Sequence, residues 1–237
     1  MPATVLILQH TDVCPPARVG RWLAEAGCTL RVVRCDLGEI PPRTLAGVDG
    51  LVVLGGAMGA YDDAAFGWLP STKELLRQAV GSGLPSLAIC LGHQLLAVAH
   101  GGLVARSPVG PQLGLLPVEL TPAGRVDPLF SALPADAKVV HWNNDMVTRL
   151  PAGAAALSNT AGGVQAFRLA NAWAVQFHPE VDVETLRRWA DADVRDGLLE
   201  QTEVDRRLDD VAAADDCVIA SWRPFTIGFA RLMQESG

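Results

Sequence analysis

One stretch, Leu84–Gly102 (LPSLAICLGHQLLAVAHGG), constrains the fold more than any other part of the chain. Pro85 to Ile89 is a short apolar run suited to a buried strand, and Leu91 to His100 reads as a helix closed by Gly101 and Gly102. Between them stands a single residue, Cys90. A strand that turns at once into a helix holds the residue at the bend in a strained conformation. Its side chain then projects above helical amides that have no intrahelical partner. The small neighbours Ala88 and Gly92 let strand and helix approach closely, as in the Gly-x-Ser-x-Gly elbow of hydrolases. The positive end of the helix dipole favours thiolate at such a position. Taken alone, a cysteine after an apolar run is more often a core residue, and what changes that reading lies far downstream.

Around this elbow the chain alternates. Val5–Gln9 reads as a strand, Pro16–Ala26 as a helix closed by Gly27, and Cys28–Arg34 as a second strand. Gly50–Leu54 reads as a third strand, running into Gly55-Gly56-Ala57-Met58-Gly59. Consecutive glycines after a strand imply either backbone angles closed to other residues or a close approach of the backbone to a ligand; the plainer alternative is a turn. A helix over Ser71–Gly81, with Ser71 as its N-cap, leads back to the elbow. This rhythm predicts an α/β fold, a three-layer doubly wound mostly parallel sheet with ligands at the carboxyl ends of the strands. From Leu103 the rhythm changes to short β segments at Gly114–Leu120, Lys138–Trp142, Ala154–Ser158, Val164–Arg168 and Ala172–Phe177. These are expected as a small antiparallel subregion at one side of the sheet. A helix is expected from Asp182 to about Asp196, and further helices dock Trp222 and Phe225. The expected organisation is a domain over residues 1–190 with a helical extension over 191–237.

Composition removes several classes of function. The formal charge is −7, and residues 191–216 hold ten acidic residues and three arginines, so that stretch carries all of it; the remainder has sixteen charges of each sign. With no basic stripe and only two lysines, Lys73 and Lys138, nucleic acid is not an expected partner. No phosphate-cradling Gly-x-x-x-x-Gly-Lys-Ser/Thr loop occurs, and no cofactor is called for. No apolar run approaches the roughly 18–20 residues that cross a bilayer, and the start MPATVLILQH has no basic n-region. A cytoplasmic protein without membrane contact is the expectation. Five scattered cysteines, an odd number, point to reduced thiols. Cys90 and His93 have a metal-like spacing, but without a second pair nearby no metal site is expected. The acidic stretch reads most simply as a solvated helical face, with partner docking as the lesser reading.

The downstream feature is His178-Pro179-Glu180, at the end of the Ala172–Phe177 run. In extended chain, residues two apart point to one side, so Glu180 can orient the His178 imidazole. A His-x-Glu pair alone is commonly a surface pair. Joined to a cysteine elbow it forms a triad of Cys90 as nucleophile, His178 as base then acid, and Glu180 as orienting group.

Three segments, Leu54–Asp63 (LGGAMGAYDD), Ala88–Gln94 (AICLGHQ) and Val175–Glu180 (VQFHPE), resemble in order and spacing the signature segments of class I glutamine amidotransferases. The likeness covers about residues 3–190 and leans to the stand-alone type similar to the glutaminase domain of GMP synthase. It implies a flavodoxin-like fold and hydrolysis of L-glutamine through a γ-glutamyl thioester at Cys90. It also implies an oxyanion hole from the amides of Leu91 and Gly56, and substrate contacts from Gly55, Gln94, Asn143 and Asp145 within His141–Asp145. No synthetase segment is recognisable, so the chain is expected either to pass ammonia to a separate synthetase subunit or to act as a plain amidase; association of the chain with itself stays open. Two alternatives stay open too: a γ-glutamyl peptidase or hydrolase using the same triad, and a non-catalytic regulator that keeps the fold for binding. The chain departs from the family pattern at Ala88 (commonly Gly), at Asn143-Asn144 (commonly His-Gly) and at Gln112 (commonly Glu). Asparagine's tolerance of left-handed backbone would preserve the turn at 143–144, whereas Gln112 would remove a charge near the site.

Overall fold

The computed structural model describes residues 2–235. Its main sheet runs in the order β2 (Thr29–Arg34), β1 (Thr4–Gln9), β3 (Gly50–Val53), β4 (Ser86–Ile89), β11 (Ala172–Val175), β10 (Gly163–Leu169), β8 (Asp145–Arg149) and β5 (Leu103–Arg106). The first five strands are mutually parallel, β10, β8 and β5 continue antiparallel, and β9 (Ala155–Thr160) pairs off the path with β10. β6 (Gln112–Pro117) and β7 (Lys138–Asn143) form a separate antiparallel ribbon. The sheet is thus mostly parallel, with helices on both faces.

β3 and β4 are buried at every position, as central parallel strands covered on both faces must be. The alternation along β1 divides the interior. Val5 and Ile7 face a core shared with Val19, Trp22, Phe177, Trp222, Phe225 and Phe229. Leu6 and Leu8 face the other, with Leu75, Leu76, Leu95 and Leu96. Helices α1 (Ala17–Glu25) and α6 (Asp215–Glu235) therefore cover one face, and α2 (Leu69–Ser82) and α3 (Leu91–Ala99) the other. A third cluster packs α4 (Val183–Arg195) and α5 (Gln201–Ala213) through Leu186, Trp189, Val204, Leu208 and Val211 against Val140 of β7.

Several local expectations change. β11 makes the expected antiparallel hairpin with β10 but also lies inside the main sheet, parallel to β4, because the residues before His178 must reach the carboxyl edge beside the elbow. β5 and β8 were not expected as strands; they carry half-exposed polar residues and owe their state to pairing with each other. α2 begins at Leu69 with Trp68 at its N-cap position, so Ser71 lies inside its first turn and makes no cap. α4 does begin at Asp182, whose carboxylate accepts the Thr185 amide at 3.0 Å.

The close approach at the elbow is severe. A Cβ placed on Gly92 would stand 2.3 Å from the Val53 carbonyl oxygen, so α3 rests directly on the end of β3. Gly92→Ala is expected to force the helix off the sheet at a cost of about 3 kcal/mol or more. That corresponds to a fall in Tm of roughly 6–12 °C for a domain of this size, measured by thermal unfolding; an unchanged Tm would contradict this packing.

Candidate active site

Cys90 adopts φ +52°, ψ −103° at the junction of β4 and α3. A non-glycine residue in that region carries backbone strain. Its amide donates to the Val175 carbonyl at 2.8 Å, which ties the elbow to β11, the strand that leads to His178. The His178 amide donates in turn to the Val140 carbonyl at 2.8 Å. The bend and the histidine are thus held by adjoining strands.

His178 and Glu180 are both buried, with the ring Nδ1 2.7 Å from the Glu180 carboxylate oxygen Oε1. Burial alone would lower the imidazole pKa, but the Glu180 carboxylate, and after it Cys90, outweigh burial and raise it from 6.5 to about 10. The ring also lies edge-on to Trp189 of α4, with centroids 4.6 Å apart, and the Trp189 indole donates to the Val13 carbonyl at 2.6 Å. The Arg18 amide donates to the Glu180 carbonyl at 3.0 Å and so fixes the backbone beyond the pair.

Gly55 lies at the centre of these groups. A Cβ there would stand 3.2 Å from His178 Cε1, 3.5 Å from Cys90 Cβ and 3.8 Å from Cys14 Sγ. Neither Gly55 nor Gly56 has a positive φ, so the tandem glycines serve close approach and not a left-handed turn. A Cβ on Gly56 would meet Met58 Sδ at 2.9 Å and Leu91 Cδ2 at 3.1 Å. The Gly56 amide has no hydrogen-bond acceptor among the described residues, and Leu91 occupies the first position of α3, where the amide has no intrahelical partner. Burial first, then Cys90 and Glu180, push the Cys14 thiol well above its ordinary range, so this neighbouring sulfur stays protonated.

A cavity of about 540 Å³ opens above the elbow. Of the residues singled out from sequence, Cys90, Gly56, Gln94, Asn143 and Asp145 line it. Gly55, Leu91, His178 and Glu180 are not part of its wall. The Gln94 side-chain amide donates to the Asp145 carbonyl at 3.1 Å and to Gln176 Oε1 at 3.2 Å, and the Gln176 amide reaches Cys90 Sγ at 3.5 Å. Gln176, within the VQFHPE segment, thus links the two walls. Asn143 donates to the Asp145 carbonyl at 3.2 Å and leaves its buried Oδ1 without a partner. Asn144 is a bend without left-handed backbone, so the asparagines preserve no left-handed turn. Gln112 lies outside the cavity wall, bonded to Thr160 and Gln165.

Trp142 and Asn144 of the 141–145 segment and Ala57, Met58 and Gly59 of the glycine loop also line the cavity, whereas Arg106, Asp193, Leu198 and Leu199 were not singled out from sequence. Arg106 comes from β5, Trp142 from β7, and Asp193, Leu198 and Leu199 from the end of α4 and the turn after it. Among the described residues no group of three or more His, Cys, Asp or Glu side chains is gathered as a metal site. His93 is fully buried and packs on Phe167, centroids 5.0 Å apart. No described helix is long and apolar enough to cross a membrane.

His10, His93 and His141 are buried, and neither His10 ring nitrogen nor Nδ1 of His141 has a hydrogen-bond partner among the described residues. Burial is the leading cause that lowers each, to about 4, about 3 and about 3. Because the unfolded chain takes up these protons near pH 6.5, each histidine costs stability on the order of 1 kcal/mol per pH unit as pH falls below that value. The His178 contribution has the opposite sign: it is complete below pH 6.5 and is lost as pH rises towards 10. Denaturant unfolding is expected to show a clear loss of stability from pH 6.5 to 4.5, and a shallower slope in His93→Leu; equal slopes would refute it.

The family model described as "Glutamine amidotransferase class-I" matches residues 18–189. Over 169 residues the chain is 40% identical to GMP synthase [glutamine-hydrolyzing] of Aeropyrum pernix, covering 69% of this chain and 30% of that one. Over 177 residues it is 32% identical to the γ-glutamyl-L-1-hydroxyisopropylamide hydrolase of a Pseudomonas species, covering 70% of this chain and 59% of that one. The match thus spans less than two thirds of either relative. A crystal structure of a glutamine amidotransferase from Thermotoga maritima superposes with a TM-score of 0.86 over 99% of both chains at 24% identity, which shows the shared fold. A strained cysteine between strand and helix, a buried His-Glu pair behind it and a family match over most of the chain lead to one statement: this chain belongs to the class I glutamine amidotransferase family.

Proposed function

We propose that this chain hydrolyses the side-chain amide of L-glutamine to glutamate and ammonia, with Cys90 as nucleophile, His178 as proton carrier and Glu180 as orienting group. The observation that carries this reading is the meeting of the Cys90 side chain with the buried His178–Glu180 pair beside Gly55, next to the unpartnered Gly56 amide.

The steps follow from the charges. A raised imidazole pKa keeps His178 protonated at neutral pH, and an adjacent cation stabilises negative charge on sulfur. Sulfur attacks the amide carbon and forms a C–S bond, moving the carbonyl π-electrons to oxygen. The resulting oxyanion faces the Gly56 and Leu91 amides, where one donor is worth about 3–4 kcal/mol. Collapse of this intermediate breaks the C–N bond as His178 gives its proton to the leaving nitrogen, so ammonia departs and a γ-glutamyl thioester remains. The now neutral imidazole takes a proton from water, the hydroxide adds to the thioester, and C–S cleavage releases glutamate and restores the starting charges. Gln94, Asn143 and Asp145, which line the cavity, form the substrate-facing shell, whereas Gly55 makes room for the Cys90 and His178 side chains. The ammonia passes to a separate synthetase subunit.

A second reading, hydrolysis of a γ-glutamyl amide or peptide, draws on the size of the cavity and its apolar lining of Met58, Pro111, Leu113, Leu198 and Leu199. A cavity of this volume lies in the range that encloses ligands larger than one amino acid. Incubation with glutamine and with γ-glutamyl dipeptides separates the two readings: turnover of dipeptides alone removes the glutaminase.

Cys90→Ala is expected to lower ammonia release about 10³-fold or more with Tm almost unchanged, since only one sulfur is removed. Glu180→Gln is expected to be slower than wild type but faster than His178→Ala, because the orienting group acts through the proton carrier. An ammonia-release assay that reversed this order would overturn the assigned roles.

A further inference from the structure

Cys14 is a buried sulfur that the hydrolytic steps leave unused. It ends the turn between β1 and α1, where its amide donates to the Thr11 carbonyl at 3.3 Å. With Val140, Val181 and Trp189 it belongs to the cluster that packs α4 beside the site. The point where a Gly55 Cβ would stand lies 3.5 Å from Cys90 Cβ, 3.8 Å from Cys14 Sγ and 3.2 Å from His178 Cε1. No more than two van der Waals contacts therefore separate the Cys14 sulfur from Cys90 Cβ, and the residue that faces both is a glycine. The other cysteines stand elsewhere in the fold: Cys28 precedes β2, Cys35 follows it, and Cys217 is exposed on α6.

The two sulfurs differ in what can reach them. Cys90 lines the open cavity, so a small solute meets it from solvent, whereas Cys14 is not part of that wall. Burial first, and next the Cys90 charge, hold the Cys14 thiol well above its ordinary range. The pair thus carries one negative charge, and the cationic His178 beside Cys90 favours its placement there. A thiolate open to solvent next to a sheltered, protonated thiol is the arrangement of an attacking and a resolving cysteine. A disulfide requires sulfurs about 2 Å apart and Cβ atoms about 4 Å apart. The approach that remains falls on turn 11–14, which lies outside the regular elements, since Cys90 is fixed at the end of the buried strand β4.

We propose that Cys14 is a resolving cysteine: a peroxide oxidises Cys90, and Cys14 closes on it in a disulfide that switches the site off until a dithiol reduces it. The Cys90 thiolate attacks one oxygen of hydrogen peroxide, forming an S–O bond and breaking O–O. The departing hydroxide takes the His178 proton and leaves as water, so Cys90 is now a sulfenic acid. The neutral imidazole accepts the Cys14 proton as that sulfur attacks Cys90 Sγ, forming S–S and breaking S–O. The proton passes to the departing hydroxide, which leaves as a second water. Two thiols have given two electrons to one peroxide, and exchange with a dithiol returns them. The bond also keeps Cys90 from the sulfinic stage, which a dithiol does not reverse.

The test reads the bond by mass, so its outcome stands apart from whether the protein turns over glutamine. Dilute wild type, Cys14→Ala and Cys90→Ala are treated with hydrogen peroxide, alkylated in acidic denaturant and digested with trypsin, which leaves Cys14 and Cys90 on separate peptides, 1–18 and 78–106. Wild type is expected to lose two of its five thiols and to yield these two peptides joined, with ammonia release lost and then restored by dithiothreitol. Cys14→Ala is expected to give no joined peptide, Cys90 as sulfinic acid, and a loss that dithiothreitol does not restore. In Cys90→Ala the Cys14 thiol should remain free for alkylation. Wild-type Cys90 recovered as an oxyacid with Cys14 still free, or joined to any other cysteine, would overturn the assignment. So would a Cys14→Ala protein as reversible as wild type. Should Cys14→Ala fail to fold, the wild-type peptide map decides alone.

Discussion

The structure depends on one contact, the seating of α3 on the end of β3 at Gly92. With the Val53 carbonyl only 2.3 Å from where a Cβ would stand, the helix can start at the edge of the sheet only if that residue has no side chain. This proximity leaves Cys90 as the single residue that makes the turn, in a backbone region that other sites avoid. The strain persists because the surrounding structure over-determines it: the Cys90 amide is held by Val175, β4 is buried at every position, and α3 is packed through Leu95 and Leu96.

From that seat the rest of the site is built outward along neighbouring strands. β11 lies beside β4 and ends where the elbow begins, so the chain leaving it carries Gln176 and His178 past the sulfur. Glycine at position 55 leaves room for imidazole and cysteine to share one small volume. A buried carboxylate facing a buried imidazole is costly unless the two are paired. Here Glu180 and Nδ1 are 2.7 Å apart, and the pairing holds the proton on the ring against the effect of burial. Trp189 then closes the far side of the ring, which links the catalytic half of the site to α4.

That link gives the C-terminal helices a second consequence. α4 packs Leu186 and Trp189 inward, and the same docking carries its last turn over the cavity, with Asp193 held by Trp142. α5 is tied to β6 beside the cavity, since the Arg207 guanidinium bonds both the Leu113 carbonyl and Glu203. A region whose net charge suggested a solvated surface thus presents one acidic side chain to the interior of the site, while its apolar residues do the packing.

By itself the sequence determined what depends on near neighbours. The strand-cysteine-helix elbow, the need for small residues at 88 and 92, the His178–Glu180 spacing and the parallel first half are all legible, because strand and helix periods and glycine's freedom act over a few residues. Tertiary structure decided the rest. β5 and β8 are strands because each finds the other, not through their own composition. The tandem glycines at 55 and 56 are needed for proximity to His178 and Leu91, partners far away in the chain. Arg106, Trp142, Asp193 and the two leucines at 198 and 199 line one cavity with Cys90 only after β5, β7 and α4 have packed, and no local pattern records a contact made across such distances.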